Sequence, residues 1–255
     1  MNFDDIKSYW EDRAANDRSA QSTTQDFYLR EIEFRVLAER IAEFQPRSVA
    51  DMGCGDGTTT LRLAEKYPVI KFHGFDYSDA MIANAKQNLD QQKTENVEFA
   101  VHDVCSPLDS RFQLIYSTRC LINLPDTSLQ EQALQNIHKT LEEGGLYLMI
   151  ENFMEGHEKF NDVRRKFDLP EISVRDHNLF FRTNELLKML EGIFEVQDEV
   201  NISSTYYLVS RVIYSKICAD SGVTPDYFDD HHRYACALPL LGEYGPVRLL
   251  VLKKI

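Results

Sequence analysis

From about residue 48 onward, short apolar runs alternate with stretches of helical periodicity. Ser48–Met52, Lys71–Tyr77, Val97–Val104, Phe112–Ser117, Leu146–Ile150, Phe194–Val200 and Val247–Lys253 read as strands. Thr59–Lys66, Ser78–Gln91, Asp126–Glu143 and Arg182–Glu191 read as helices. Met81, Ile82, Ala85 and Leu89 form one apolar stripe behind a capping Ser78. Leu129, Ala133, Ile137 and Leu141 form another, ahead of a Gly144-Gly145 stop. Thr183 suits the N-cap of the last helix. Strands that alternate with helices imply βαβ units and a mainly parallel sheet covered on both faces.

Three stretches interrupt this rhythm. Residues 1–44 read as a helical N-terminal cap, with an amphipathic Phe27–Phe44. Residues 153–181 separate the fifth strand from its following helix. Residues 203–245 separate the last two strands; there Tyr206, Val209, Ile213 and Ile217 fall at helical spacing, and Pro225–Ala237 suggests a second helix. Ligands of open α/β sheets bind beyond the carboxyl ends of the strands. The first two stretches are therefore expected to form a lid or substrate wall. Residues 45–152 form the expected core, and residues 182–255 the second half of the sheet.

The remaining bulk properties narrow the function. A chain of 255 residues fits one elaborated domain. Its net charge of −13 argues against a protein built to grip nucleic acid or an anionic membrane surface. No stretch approaches the ~20 apolar residues of a membrane span. The acidic start, MNFDDIKSYWEDRAANDRS, lacks the apolar segment of a signal peptide. Cys54, Cys105, Cys120, Cys218 and Cys236 are scattered, without a C-x-x-C pair. They read as the reduced thiols of a cytoplasmic protein rather than a disulfide or zinc framework.

The segment Asp51-Met52-Gly53-Cys54-Gly55-Asp56-Gly57 carries a strand into three glycines and then a helix. A dinucleotide fingerprint would place its third glycine at Thr58, and no G-K-[ST] ending marks a P-loop. The spacing is instead acidic-x-G-x-G-x-G. Here the chain resembles the class I S-adenosylmethionine-dependent methyltransferases. Three further features match in order: Asp76 at the end of the second strand, Asp103 in His102-Asp103-Val104 after the third, and Phe112–Ser117 as the fourth strand. The resemblance covers roughly residues 48–152. It implies a Rossmann-like, seven-stranded, mostly parallel sheet whose last strand is antiparallel. It also implies S-adenosyl-L-methionine as cofactor. Asp51, Gly53, Cys54, Gly55 and Gly57 would form its loop, and Asp76 would hold the ribose hydroxyls. Tyr77, Met81, Asp103 and Val104 would lie along the adenine, with Ser117 at the floor. Tyr9 and Arg13 would reach the methionine end from the N-terminal segment. Cys54 reads as a small packed residue, not a nucleophile.

Methyl transfer from a sulfonium is an in-line displacement, so positioning supplies much of the acceleration. An alcohol acceptor often needs a base, and a carboxylate does not. Candidate catalytic residues are Glu151 at the end of the fifth strand, His177 among the aromatics of the insertion, and Arg119 after the fourth strand, the last as an anchor for an acidic acceptor. His231-His232 beside Asp229-Asp230 does not present paired ligands on one helix face, so no metal is expected. The leading expectation is O- or N-methylation of a small metabolite, an anionic one among the candidates, or of a sugar-linked acceptor. The insertion pattern also resembles bacterial methyltransferases of surface-glycan or secondary-metabolite pathways. A protein or RNA methyltransferase, or a non-catalytic cofactor-binding module, stays open, and the oligomeric state is not readable.

Overall fold

The computed structural model describes residues 3–16 and 26–255; residues 1–2 and 17–25 of the expected N-terminal cap lie outside them. Seven strands form one sheet: β1 (Ser48–Met52), β2 (Lys71–Asp76), β3 (Val97–Val101), β4 (Phe112–Thr118), β5 (Leu141–Asn152), β6 (Phe194–Asn201) and β7 (Val247–Lys254). Their order is β3-β2-β1-β4-β5-β7-β6. The first five are parallel, and β7 runs antiparallel to both β5 and β6. This is the expected class.

Side-chain alternation along the strands divides the core into two layers. Val49, Phe72, Leu114, Tyr116 and Leu148 pack with α2 (Phe27–Phe44), α3 (Thr58–Lys66) and α4 (Asp79–Gln92). Ala50, Met52, Phe75, Ile115 and Met149 point the other way, toward α5 (Thr127–Thr140) and α7 (Thr183–Leu190). Over the carboxyl edge lie α1 (Phe3–Asn16) and α6 (Met154–Lys166). After β6 the chain forms α8 (Ser204–Tyr207), a π-turn (Leu208–Ile213) and α9 (Tyr214–Asp220) without a break, then α10 (Asp230–Ala237). Phe160, Leu169 and Val212 make a small separate core that joins α6 to the π-turn.

Ser78 caps α4 as expected, its side chain accepting from the Met81 amide at 3.1 Å. Four local expectations differ. Helix α5 stops at Thr140, and β5 starts at once and runs through Gly144-Gly145; the glycines mark an irregularity in strand pairing rather than a helix stop. Strand β3 stops at Val101, three residues early, because Asp103 folds back to accept the Cys105 amide at 2.9 Å. Thr183 is the first residue of α7 and not its cap; Glu155 of α6 accepts its amide at 3.0 Å and so caps α7 from a distance. Helix α10 is shorter than Pro225–Ala237, because Asp229 supplies the cap by accepting the His231 amide at 2.9 Å. Among the described residues, no helix is long and apolar enough to cross a membrane.

Candidate active site

The glycine loop follows β1. Gly53 sits at φ +81°, a region costly to residues with a side chain, and a Cβ there would lie 2.5 Å from Cys120 Sγ. The turn is tied to the end of β2. Gly53 and Cys54 amides donate to the Phe75 carbonyl at 2.8 and 2.9 Å. The Gly55 amide donates to Asp76 Oδ2 at 2.9 Å, and the Ser78 amide to Oδ1 at 3.0 Å. Each Asp76 oxygen therefore keeps acceptor capacity for a further donor. Burial pushes Asp76 up to about 6, although those two amides favour its charged form. Asp51 lies deeper, accepting from the hydroxyls of Thr60 at 2.6 Å and Tyr116 at 2.8 Å. Burial raises it to about 7 against those bonds.

Two cavities open from this loop. The smaller is walled by Met52, Phe75 and Leu124, with Asp76, Asp103 and Val104 also at its surface. The larger, about 340 Å³, extends from Asp51, Gly53, Cys54, Gly55, Asp76, Tyr77 and Met81 to the ends of β4 and β5 and out beneath the insertions. Gly57 lies behind it at φ +73°, where a Cβ would meet the Phe99 ring at 2.6 Å; its role is close packing of loop against sheet. Three buried polar atoms bordering the large cavity have no partner among the described residues: Trp10 Nε1, Thr118 Oγ1 and Asn152 Oδ1. Buried polar groups are ordinarily hydrogen-bonded, so a wall holding three such atoms is suited to a polar ligand.

Two sequence expectations are corrected here. Glu151 is fully buried and does not border the cavity. Its carboxylate accepts the amides of Cys120 at 3.0 Å, Leu121 at 2.9 Å and Ile122 at 3.3 Å, and the Ser117 hydroxyl at 3.3 Å. It closes the turn after β4, and burial raises it to about 7. Ser117 points the same way, paired with the Tyr147 hydroxyl at 2.6 Å, and is likewise away from both cavities. Strand alternation explains both: position 118, not 117, borders the cavity.

His177 does border the large cavity. Its ring stacks on Tyr9 at 4.6 Å and meets Trp10 edge-on at 6.1 Å, which pins α1 to the insertion. Burial, with Arg175 and Arg13 nearby, lowers its pKa and keeps it neutral. Arg13 reaches the cavity as well, its guanidinium 3.4 Å from the Tyr9 hydroxyl, whereas Tyr9 itself stands behind His177. Arg119 has a left-handed backbone, φ +51°, and pairs with Glu33 of α2 through Nε at 2.8 Å and Nη2 at 3.1 Å.

Sequence reading missed the far wall. Arg30 and Glu33 come from α2, Asp26 from its N-cap, Phe160 from α6, and Tyr207, Arg211 and Tyr227 from the second insertion. Arg211 pairs with Asp26. Burial pushes Glu33 up, opposed by Arg119. Asp26, Arg30 and Glu33 stand at helical spacing in a helix otherwise apolar on that side, which was the available signal. Among the described residues no group of three or more His, Cys, Asp or Glu is placed to hold a metal ion. His231 pairs with Asp229 instead.

Comparison with known proteins supplies the rest. Residues 46–201 match the family model described as "Methyltransferase domain". A trans-aconitate 2-methyltransferase of Variovorax paradoxus (strain S110) is 34% identical over 110 residues, 43% of this chain and 40% of that protein. A malonyl-[acyl-carrier protein] O-methyltransferase of Paenibacillus sp. (strain JDR-2) is 29% identical over 148 residues, 52% of each. The matched part of the chain thus spans about half or less of the length of these relatives. In fold, the chain resembles the N-methyltransferase NodS from Bradyrhizobium japonicum WM9, solved with S-adenosyl-l-homocysteine: TM-score 0.59, 14% identity, 98% of this chain and 97% of that one.

Proposed function

Starting from the fact that the chain belongs to the class I S-adenosylmethionine-dependent methyltransferases, we propose that it methylates a small anionic acceptor held in the large cavity. The residues fit the cofactor. Asp76 keeps acceptor capacity for two vicinal hydroxyls, Gly53 clears the approach to the backbone, and the Met52–Phe75–Leu124 slot suits a flat purine. Asp103 and Val104 would border the purine, and Arg13, Trp10 and Asp51 the amino-acid end. When bound, the cofactor supplies an electrophilic methyl group on a sulfonium.

The observation that carries the acceptor class is a concentration of arginine. Arg13, Arg30, Arg119, Arg175 and Arg211 all border one cavity in a chain of net charge −13. Among the described residues that border the cavity away from the glycine loop, Asp26 and Glu33 oppose them. Arginine recognises carboxylate and phosphate through its planar fork of donors. The two relatives named above act on trans-aconitate and a malonyl-carrier, which agrees with a carboxylate acceptor. A carboxylate is already nucleophilic, so no base is required. This accords with Glu151 being withdrawn from the cavity. The chain's work is then to orient: Arg119 turns the acceptor at the end of β4, Thr118 and Asn152 offer hydrogen bonds beside it, and His177 with the aromatic residues excludes water. The extra segments, 153–181 and 203–245, would set acceptor choice.

Titration calorimetry with S-adenosylmethionine, followed by incubation of labelled cofactor with a lysate separated by size, tests this reading. Binding and label confined to the small-molecule fraction are expected. No binding at millimolar cofactor, or label in protein or RNA, would overturn it.

A further inference from the structure

We propose that the acceptor carries at least two anionic groups, read by a row of guanidiniums that α2 holds at fixed spacing: Arg211, Arg30 and Arg119. This deepens the reading above and rests on it.

The row follows from helix geometry. Asp26, Arg30 and Glu33 are spaced i, i+4 and i+7, so they share one face of α2 and its cap. Asp26 and Glu33 lie about 10 Å apart along the axis at 1.5 Å per residue. Each carboxylate takes an arginine from a different element. Glu33 holds Arg119, delivered by the left-handed residue after β4. Asp26 holds Arg211, delivered by the π-turn. Arg30 stands between them. Guanidiniums from three parts of the chain thereby border one cavity, Arg211 and Arg119 on the two carboxylates and Arg30 from the helix position between those, beside Asp56 and Glu33.

The ends of the row are fixed firmly. Asp26 Oδ1 accepts the Leu29 amide at 3.1 Å and the Tyr206 hydroxyl, and Oδ2 accepts from Arg211. Since the Tyr206 hydroxyl donates to Asp26, its oxygen is left to accept from His232 Nδ1, 3.0 Å away. The Arg211 guanidinium also lies over the Tyr227 ring, 4.2 Å from its centroid, and beside Tyr207 at 5.5 Å. These contacts cover its faces and leave edge donors.

Pairing does not consume the arginines. Arg119 donates to Glu33 from Nη2 and stands in ion-pair contact through Nε, and Arg211 donates to Asp26 from Nη2. A guanidinium has five N–H donors, so each retains several. Both side chains keep some exposure, 24% and 14%, where they border the cavity. A buried ion pair is a weak device for stability alone, since apolar packing would serve as well or better. Two such pairs at the two ends of one row beside the cavity are well explained as preorganised anion sites. A single carboxylate can meet the spare donors at one end of the row and leaves those at the other end unused. An acceptor with two anionic groups meets both.

The experiment uses the full chain and a panel of straight-chain monocarboxylates and dicarboxylates with one tricarboxylate. It measures methyl incorporation from labelled cofactor, and thermal protection with S-adenosylhomocysteine present. Dicarboxylates or the tricarboxylate should exceed monocarboxylates by about tenfold or more in kcat/KM, the worth of one charge-assisted contact. Arg211→Lys, which keeps the charge beside Asp26 but loses the fork, should raise KM for the multiply charged acids far more than it lowers kcat. It should also shrink the ratio between the two acid classes. Arg119→Lys should shrink the ratio from the other end. Equal handling of the two classes by the wild-type chain, or an unchanged ratio in folded variants that bind S-adenosylhomocysteine, would overturn the proposal while leaving the methyltransferase reading intact. Failure of the wild-type chain to bind the cofactor would overturn both.

Discussion

The two halves of the large cavity are built on different principles. The cofactor half is local: one turn of backbone, its glycines and two carboxylates at adjacent strand ends. Its groups are mostly backbone amides, fixed by the strand-turn-helix itself. The acceptor half is assembled from residues as distant as Asp26 and Arg211 or Glu33 and Arg119. There side chains form the wall, and buried charge pairs hold them in position. The first half can keep one design across many enzymes, because its ligand is constant. The second can change its specificity by exchanging a residue on α2 or in an insertion without disturbing the first.

The difference can be broken most severely at Asp76. Asp76→Ala should weaken S-adenosylmethionine binding by about 100-fold or more, as two charge-assisted hydrogen bonds are lost. Calorimetry reads the loss, and near-normal affinity would remove Asp76 from the ribose role. The counterpart in the other half is Glu33. Glu33→Gln leaves the Arg119 charge largely buried without its partner and should lower stability by about 3 kcal/mol. Cofactor affinity should stay within about threefold, measured beside urea unfolding. A large loss of cofactor affinity in that variant would show that the halves are coupled.

The same contrast decides what was legible in the sequence. The Asp51–Gly57 spacing and the acids after β2 and β3 are contiguous signals, so the sheet and the cofactor half could be read directly. Strand direction is legible in the sequence, but facing is not: Ser117 and Glu151 stand near strand ends, and the alternation turns both away from the cavity. Arg119 and His177 were found, but their partners Glu33 and Tyr9 were not paired with them, because nothing in sequence links residues so far apart. The Asp26–Arg211 pair depended on a π-turn that periodicity does not reveal. Burial reverses the ordinary meaning of a carboxylate: Glu151 looked like a base and is a cap for three amides.

A smaller effect tests whether the cofactor half is fixed by backbone shape. Gly53→Ala places a side chain at φ +81° and against Cys120. The left-handed conformation alone costs about 1–2 kcal/mol, and the contact adds to it. Cys120→Gly in the same chain should recover the contact portion and not the backbone portion. Full recovery would assign the whole cost to crowding, and no recovery would assign it to the backbone.

The smallest effect separates the halves by proton. Burial holds Asp76 at about 6, so its carboxylate is fully available to hydroxyl donors only above that pH. S-adenosylmethionine binding should weaken as pH falls through 6, by roughly tenfold between pH 7 and pH 5. For the protein without cofactor the sign is opposite. A raised carboxyl contributes stability that is full below about pH 4, where the unfolded group is also protonated, and lost as pH rises through 6. The guanidiniums of the acceptor half do not titrate in this window. Asp76→Asn binds more weakly but should show no such dependence. If the dependence survives in that variant, the titrating group is Asp51, which burial holds at about 7 beside Thr60 and Tyr116, and the proton reports on the floor of the loop rather than on the ribose.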